Sequence, residues 1–292
     1  MFSQLLINSI IAGSIYTLIA LGFSLIYSTT KFFHFAHAAV YTSCPYFTYL
    51  FYSVFGLPFW GALFVAVLSS VLLGMAIDLT IYKPMRHRGA TPLVLLLSSL
   101  GIYIVLQNII SMAFGDDTKT LRSGIVTEGI EFIGARITPI QIGIVAVSMI
   151  LLLACWALMK LTKIGTAMRA VASDPNLALV TGIDTDRTIL FAFILGSLLA
   201  GIAGLLISFD VDMTPTMGMN ALMMGVVAVI VGGVGSIPGA ALGGFLIAFA
   251  QNFGVWKISS QWQDAIAFLV LLVFLLFRPY GFFGKKIRKA EV

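Results

Sequence analysis

Nine apolar stretches, at 5–27, 36–55, 57–81, 92–114, 139–161, 188–208, 219–234, 237–254 and 263–278, leave this chain of 292 residues little choice but a lipid bilayer. About 20 predominantly apolar residues suffice for one helical crossing. Lipid offers no partner to a free backbone N–H or C=O, so each crossing must close its hydrogen bonds within a helix. Composition agrees. Hydrophobic residues make up 60% of the chain and charged residues 10%, whereas a soluble domain carries about 45–50% and 25%. The expectation is an all-α polytopic membrane protein with about 8–9 transmembrane helices, forming one membrane domain over residues 1–292. The seventh and eighth stretches are short and Gly-rich, and are expected to be broken or re-entrant.

Charge orders the stretches. Intervals on one side hold Lys31; Lys83, Arg86 and Arg88; Lys160, Lys163, Arg169 and Arg187; and Arg278, Lys285, Lys286, Arg288 and Lys289, which is 13 of the 17 Lys and Arg residues. The other side holds Lys119, Arg122, Arg136 and Lys257. Cytoplasmic loops are enriched in Lys and Arg, which predicts a periplasmic N-terminus and a cytoplasmic C-terminus. Residues Met1 to Gln4 carry no Lys or Arg, so the first stretch reads as a membrane helix and not as a cleavable leader. The basic residues lie in short loops beside spans, a pattern that does not suggest nucleic acid. Cys44 and Cys155 fall in apolar stretches and read as small apolar fillers. No metal, catalytic or cofactor site is expected: two histidines, His34 and His37, without further His, Cys or acid nearby make a poor metal site.

One polar interval carries its own helix signals. In 164–187 (IGTAMRAVASDPNLALVTGIDTDR), Ser173 or Asp174 can N-cap a helix, Pro175 suits the first helical position, and Gly182 can end it in a left-handed conformation. Leu177 and Val180, three apart, share a face. Gly165, Met168, Arg169 and Ala170 form a second short helical turn before it. Such a helix beside a membrane is either a structured loop or a piece that wants a partner surface. The basic loop 82–91 (YKPMRHRGAT) reads first as positive-inside anchoring, with a partner contact as the alternative.

The opposite side has one long interval, 115–138. Its short apolar runs, Gly124-Ile125-Val126 and Phe132-Ile133, predict a small folded cap such as a hairpin, either a docking point or a tether. Inside the spans, Gly13 and Thr17 form a small-residue stripe, as do Gly196, Ala200 and Gly204; each allows close helix packing, with a pathway role as the alternative. Tyr16, Thr17 and His37 are pathway candidates on chemistry. Gly232, Gly233, Gly235 and Ser236 join them, because non-helical backbone at membrane depth survives only when buried in protein or lining a cavity. A tight turn between two spans accounts for the same glycines equally well. A side chain at Gly233 is expected to be tolerated less well than one at Gly74.

These motifs resemble a known family. Gly165-x-x-Met168-Arg169-Ala170, then Asp174-Pro175, Ala178 and Gly182-Ile183, resemble the coupling loop of ABC-importer permeases, most nearly the branched-chain amino-acid permease family. Gly13-Ser14-Ile15-Tyr16, Phe35-Ala36-His37, Gly232-Gly233-x-Gly235-Ser236 and Arg278-Pro279-Tyr280-Gly281 resemble the same family in order along nearly the whole chain. Ala38 stands where the family usually has glycine, and Phe282 where leucine is more usual.

The resemblance implies the permease subunit of a bacterial inner-membrane importer. Its partners would be a second homologous permease, two cytoplasmic ABC ATPases that bind ATP and Mg, and a periplasmic binding protein. In the ATPase-docking loop it implicates Gly165, Met168, Arg169, Ala170, Asp174, Pro175, Leu177, Ala178, Val180 and Gly182. Branched-chain or other aliphatic amino acids are the implied substrates. Urea or short amides, carried by the same kind of permease, and an ion-coupled secondary transporter are the alternatives. No Lys-Ser or Lys-Thr follows the glycines of 232–239, so that segment is not a phosphate-binding loop, and nucleotide energy must come from another chain.

Overall fold

The computed structural model describes residues 1–121, 129–132 and 134–284. Arg122, Gly124-Ile125-Val126, Glu128, Ile133 and the basic tail from Lys285 lie outside the described residues.

The chain runs α1 (Phe2–Thr30), α2 (His37–Tyr49) with a π-helical turn (Leu50–Val54), α3 (Phe59–Ile77) with a π-helical turn (Asp78–Tyr82), and α4 (Lys83–His87). It continues through α5 (Pro92–Phe114), the hairpin β1 (Ile130–Phe132) and β2 (Ala135–Ile137), α6 (Pro139–Leu161), α7 (Lys163–Ser173) and α8 (Pro175–Val180). Four helices complete it: α9 (Thr185–Asp210), α10 (Met217–Gly232), α11 (Ile237–Gly254) and α12 (Gln263–Phe277). Among the described residues, seven helical segments are long and apolar enough to cross a membrane. The other two apolar stretches form α2 and the 16-residue α10, which are shorter.

Local chemistry sets the helix starts. Thr91, Thr138, Asp184 and Ser236 each accept a hydrogen bond from a backbone N–H in the following turn. Thr138 and Gln141 form a full capping box, with Pro139 just inside. These bonds satisfy donors that a helix N-terminus would otherwise leave open.

Helix α1 is the centre. Its most apolar window is 83% buried, against 6% for α12, and α9, α10, α11 and α6 surround it. Because lipid tails are as apolar as leucine, such a bundle is held by close packing. Thr17 therefore meets α11, its hydroxyl donating to the Ala241 carbonyl at 3.3 Å. Gly196 faces the Gly22 carbonyl and Ile26 of α1, so the small-residue face of α9 packs as its spacing predicts. Pro45 lies inside α2 and cannot bond the Tyr41 carbonyl four residues back. That carbonyl faces Gly204 of α9, where any side chain would strike it.

The loops sort into two ends. At one, the Gln4 side chain brackets Arg136 of the hairpin, Lys119 pairs with Met213 by two backbone bonds, and Gln141 donates to Asp210. At the other, Lys31 donates to the Ala172 carbonyl at 2.5 Å, Gly235 donates to Ser24, and Arg86 reaches Asp186. This is the alternation that the charge pattern predicts. The expected hairpin is present, with Gly134 at φ 71° in its turn.

The glycine break forms a tight turn between α10 and α11. Its partner is the chain's own end: Phe282 N–H bonds the Val231 carbonyl and Phe283 N–H the Gly232 carbonyl, each at 3.0 Å. Two carbonyls that the end of α10 leaves open are thereby satisfied. Gly233 has φ 106°, and a Cβ there would run into the backbone of Phe283 and Gly284. Gly74 is no neutral comparison, because a Cβ on it would strike Ser197 of α9. Gly61, with nothing within 4 Å, is the fair one. Gly233→Ala should cost at least about 1–3 kcal/mol in backbone strain alone. Gly61→Ala should be neutral or stabilising by about 0.5–1 kcal/mol. Thermal unfolding of the two purified variants in detergent measures the difference.

Candidate functional site

The interval 162–187 forms three helical pieces at the basic end. Thr162 caps α7 by accepting from Gly165 N–H, and Asp174 caps α8 by accepting from Asn176 and Leu177 N–H at 2.9 and 3.0 Å. Pro175 occupies the first turn of α8. Gly182 ends the piece at φ 86°, and the next helix starts three residues later.

The candidate docking residues divide by side. Gly165 packs against the backbone of Leu158 and Met159, Met168 is 1% exposed, and Ala178 is 3% exposed. These three turn inward and hold the segment on the bundle. Ala170 is half-buried against the cluster of Phe32, Tyr82 and Val171. Leu177, Leu179 and Val180 turn outward, at 63%, 60% and 84% exposure, with Arg169 exposed nearby. The spacing alone pairs Leu177 with Val180; the helix adds Leu179 to the same exposed patch.

Charged groups fix both ends of this segment. The Lys31 ammonium caps the C-terminal carbonyls of α7, where cations are favoured. Desolvation pulls its pKa below the ordinary lysine value. Asp186, in the first turn of α9, meets His87 Nε2 at 2.7 Å, Lys83 Nζ at 3.5 Å and Arg86 Nη2 at 3.8 Å. Arg86 also pairs with Asp78 at 2.6 Å, and the Asp78 side chain is 1% exposed. Removing one partner from so buried a pair costs about 3–5 kcal/mol, because it strands the other charge. The loop 82–91 is thus tied down as well as basic. Asp78, Arg86 and Asp186 have no sequence spacing that announces this meeting.

The pathway candidates do not converge on one site. Tyr16 is half-buried beside the cluster of Met224, Val227 and Ile247. Thr17 borders a small cleft with Ser14, Ser148 and Phe245. His37 is fully buried at the start of α2, its ring beside Gly22, and does not sit half-solvated at the membrane surface. Gly232, Gly233, Gly235 and Ser236 build the α10–α11 turn, Ser236 as the N-cap of α11.

Comparison with known proteins supplies the family. Residues 5–275 match the family described as branched-chain amino acid transport system, permease component. The chain is 31% identical to the high-affinity branched-chain amino acid transport system permease protein LivH of Escherichia coli K12, over 97% of this chain and 96% of that one. It is 30% identical to BraD of Pseudomonas aeruginosa, a permease of the same description, over 97% and 96%. A probable LivH of Methanocaldococcus jannaschii is 28% identical over 99% and 94%. The fold is similar to that of PsaBC from Streptococcus pneumoniae, solved with a Fab, at a TM-score of 0.51 and 14% identity, covering 94% of this chain and 92% of that one. The match spans nearly all of the membrane bundle, the 162–187 segment and the glycine turn, and on it this multi-pass membrane protein belongs to the branched-chain amino acid transport system permease family.

Proposed function

We propose that the chain is one half of the translocation path of an ABC importer for branched-chain amino acids, in a bacterial inner membrane. The single observation that carries the coupling part is α8: a capped helix, packed on Ala178, with Leu177, Leu179 and Val180 exposed at the basic end. An apolar patch on a helix outside the spans is stable in water only at a cost, and a groove on a cytoplasmic ATPase removes that cost. In this reading ATP and Mg are bound by two such ATPases and by nothing in this chain. A second homologous permease completes the path, and a periplasmic binding protein delivers the substrate. The chain is a single membrane domain, 1–292, with 164–187 in the cytoplasm and 115–138 in the periplasm. Thr17 is the pathway candidate carried forward, since it borders the cleft between α1, α6 and α11. The substrate class rests on the relatives, which are permeases for branched-chain amino acids. Urea or short amides and an ion-coupled carrier have no specific observation in their favour.

Two outcomes are expected. Burying a leucine side chain is worth about 1.5–3 kcal/mol, which is roughly a 10- to 150-fold change in affinity. Leu177→Asp adds an unpaired charge, so it should reduce co-purification of the ATPase by at least that factor while the permease still inserts. Unchanged co-purification and substrate-stimulated ATP hydrolysis would reduce α8 to a connector. For orientation, with Cys44 and Cys155 replaced, Glu131→Cys should react with a membrane-impermeant thiol reagent in intact spheroplasts. Thr185→Cys should react only after the membrane is opened. The reverse pattern would invert the topology.

A further inference from the structure

The helix that follows the docking segment is gripped along its length by one stripe of residues. Ala62, Ala66, Ser70, Gly74, Asp78 and Tyr82 recur every four residues on α3 and its π-helical turn, and all are buried. Arg86, four further on in α4, is partly buried. The partners on α9 run the other way. Ser70 meets Gly201, Gly74 meets Ser197, the Tyr82 ring lies tilted against Phe193 at 5.6 Å, and Arg86 reaches Asp186.

A four-residue repeat on an α-helix of 3.6 residues per turn drifts by about 40° per step and would leave the neighbour within a few turns. The π-helical turn packs more residues into a turn and takes up part of that drift. Asp78 and Tyr82 therefore stay aimed inward. Asp78 holds Arg86 at 2.6 Å, and Arg86 faces Asp186 next to α8. Tyr82 hydroxyl is 3.0 Å from His34 Nδ1. The His34 ring in turn lies 5.1 Å from Phe193 and 5.9 Å from His37, which touches Gly22 of the central helix. His34 Nε2 and both nitrogens of His37 are buried without a well-formed hydrogen bond, the nearest to one being a loose contact of His37 with the Ile19 backbone.

The geometry points to the π-helical turn Asp78–Tyr82 as the relay that carries movement of the docking segment into the core of the bundle. Asp186, Arg86, Asp78 and Tyr82 are its positioning residues. The inference rests on α8 being the ATPase-docking helix. It goes beyond that reading by assigning the work to residues none of which contributes to the exposed patch of Leu177, Leu179 and Val180. A π-helical turn suits the task because its extra residue can be passed along a helix by exchanging one hydrogen-bond register for another. The contacts at its two ends then determine which register holds.

The test uses the reconstituted complex of permease, ATPases and binding protein, with leucine as the transported probe. The neutral pair Asp78→Asn with Arg86→Gln keeps hydrogen-bonding groups in place and strands no charge. Tyr82→Phe removes one oxygen atom. Both variants should co-purify with the ATPase at the unsubstituted level, and both should lose at least five-fold of the leucine-stimulated ATP hydrolysis. Asp186→Asn should lose a similar amount. Combined with Tyr82→Phe it should be no worse than the poorer single variant, because two breaks in one relay do not multiply. Stimulation within two-fold of the unsubstituted complex overturns the relay. So does loss of ATPase binding from these variants, which would make the network a support for the docking surface. Multiplying losses for Asp186→Asn with Tyr82→Phe overturn it as well. Failure of the underlying reading is separate: Leu177→Asp would then keep both ATPase binding and stimulation.

Discussion

Everything in this bundle depends on backbones approaching closely enough to replace a driving force that lipid does not supply. Water expels apolar surface; lipid tails do not, so helix association here rests on packing contacts worth about 0.1–0.2 kcal/mol per atom pair. Such contacts accumulate only where side chains are small. Hence α9 presents Gly196 to the Gly22 carbonyl of α1, Gly201 to Ser70 of α3 and Gly204 to the Tyr41 carbonyl of α2. One helix with three small-residue contacts thereby fixes three others around it. Helix α1, whose most apolar window is 83% buried, shows no single apolar face, as suits a helix packed on several sides.

Much of this was legible. Length and hydropathy placed the nine stretches that are helical among the described residues, seven of them long and apolar enough to cross a membrane, because the bilayer leaves a crossing one way to satisfy its backbone. The α8 signals were local: a side-chain oxygen at Asp174, the fixed φ of Pro175 and the freedom of Gly182 act within a few residues. What escaped was whatever joins distant segments. Pro45 leaves the Tyr41 carbonyl without its helical partner, and Gly204 of α9 comes up against that carbonyl; nothing in either local sequence announces the other. The tail at Phe282 and Phe283 closes the open carbonyls of α10, so two motifs that read as separate are one structure. The four-residue repeat from Ala62 to Arg86 mixes small, acidic, aromatic and basic residues, so its spacing does not stand out in the sequence. Ala62, Ala66, Ser70 and Gly74 lie in regular α-helix, and the π-helical turn takes over only from Asp78.

The candidate site shows the same division. Which residues of 164–187 face outward follows from α8 being six residues long and seated on Ala178. Periodicity alone paired Leu177 with Val180 and missed Leu179. The histidines were read as a poor metal site, with His37 a pathway candidate. They are instead part of an aromatic cluster of Phe32, Tyr82 and Phe193 at the basic end of the core. Ser99 of α5 holds the irregular segment before α2 in place, donating to the Phe33 carbonyl at 3.0 Å and accepting from Phe35 N–H at 3.1 Å. Two backbone groups of a segment without regular structure are thus satisfied by a neighbouring helix, which helps it survive among helices.

The ion network also has an internal order set by solvent. Asp78 is 1% exposed and Asp186 27%, and Arg86 lies between them at 2.6 and 3.8 Å. An exposed ion pair is worth about 0–1 kcal/mol, because water replaces either partner readily. Breaking the buried pair costs about 3–5 kcal/mol. Of the two contacts of Arg86, the one with Asp78 is therefore the firmer and the one with Asp186 the weaker. Lys83 and His87, also on Asp186, keep that carboxylate partnered when Arg86 moves away. The result is a joint that is firm on the side of the bundle and loose on the side of the docking segment.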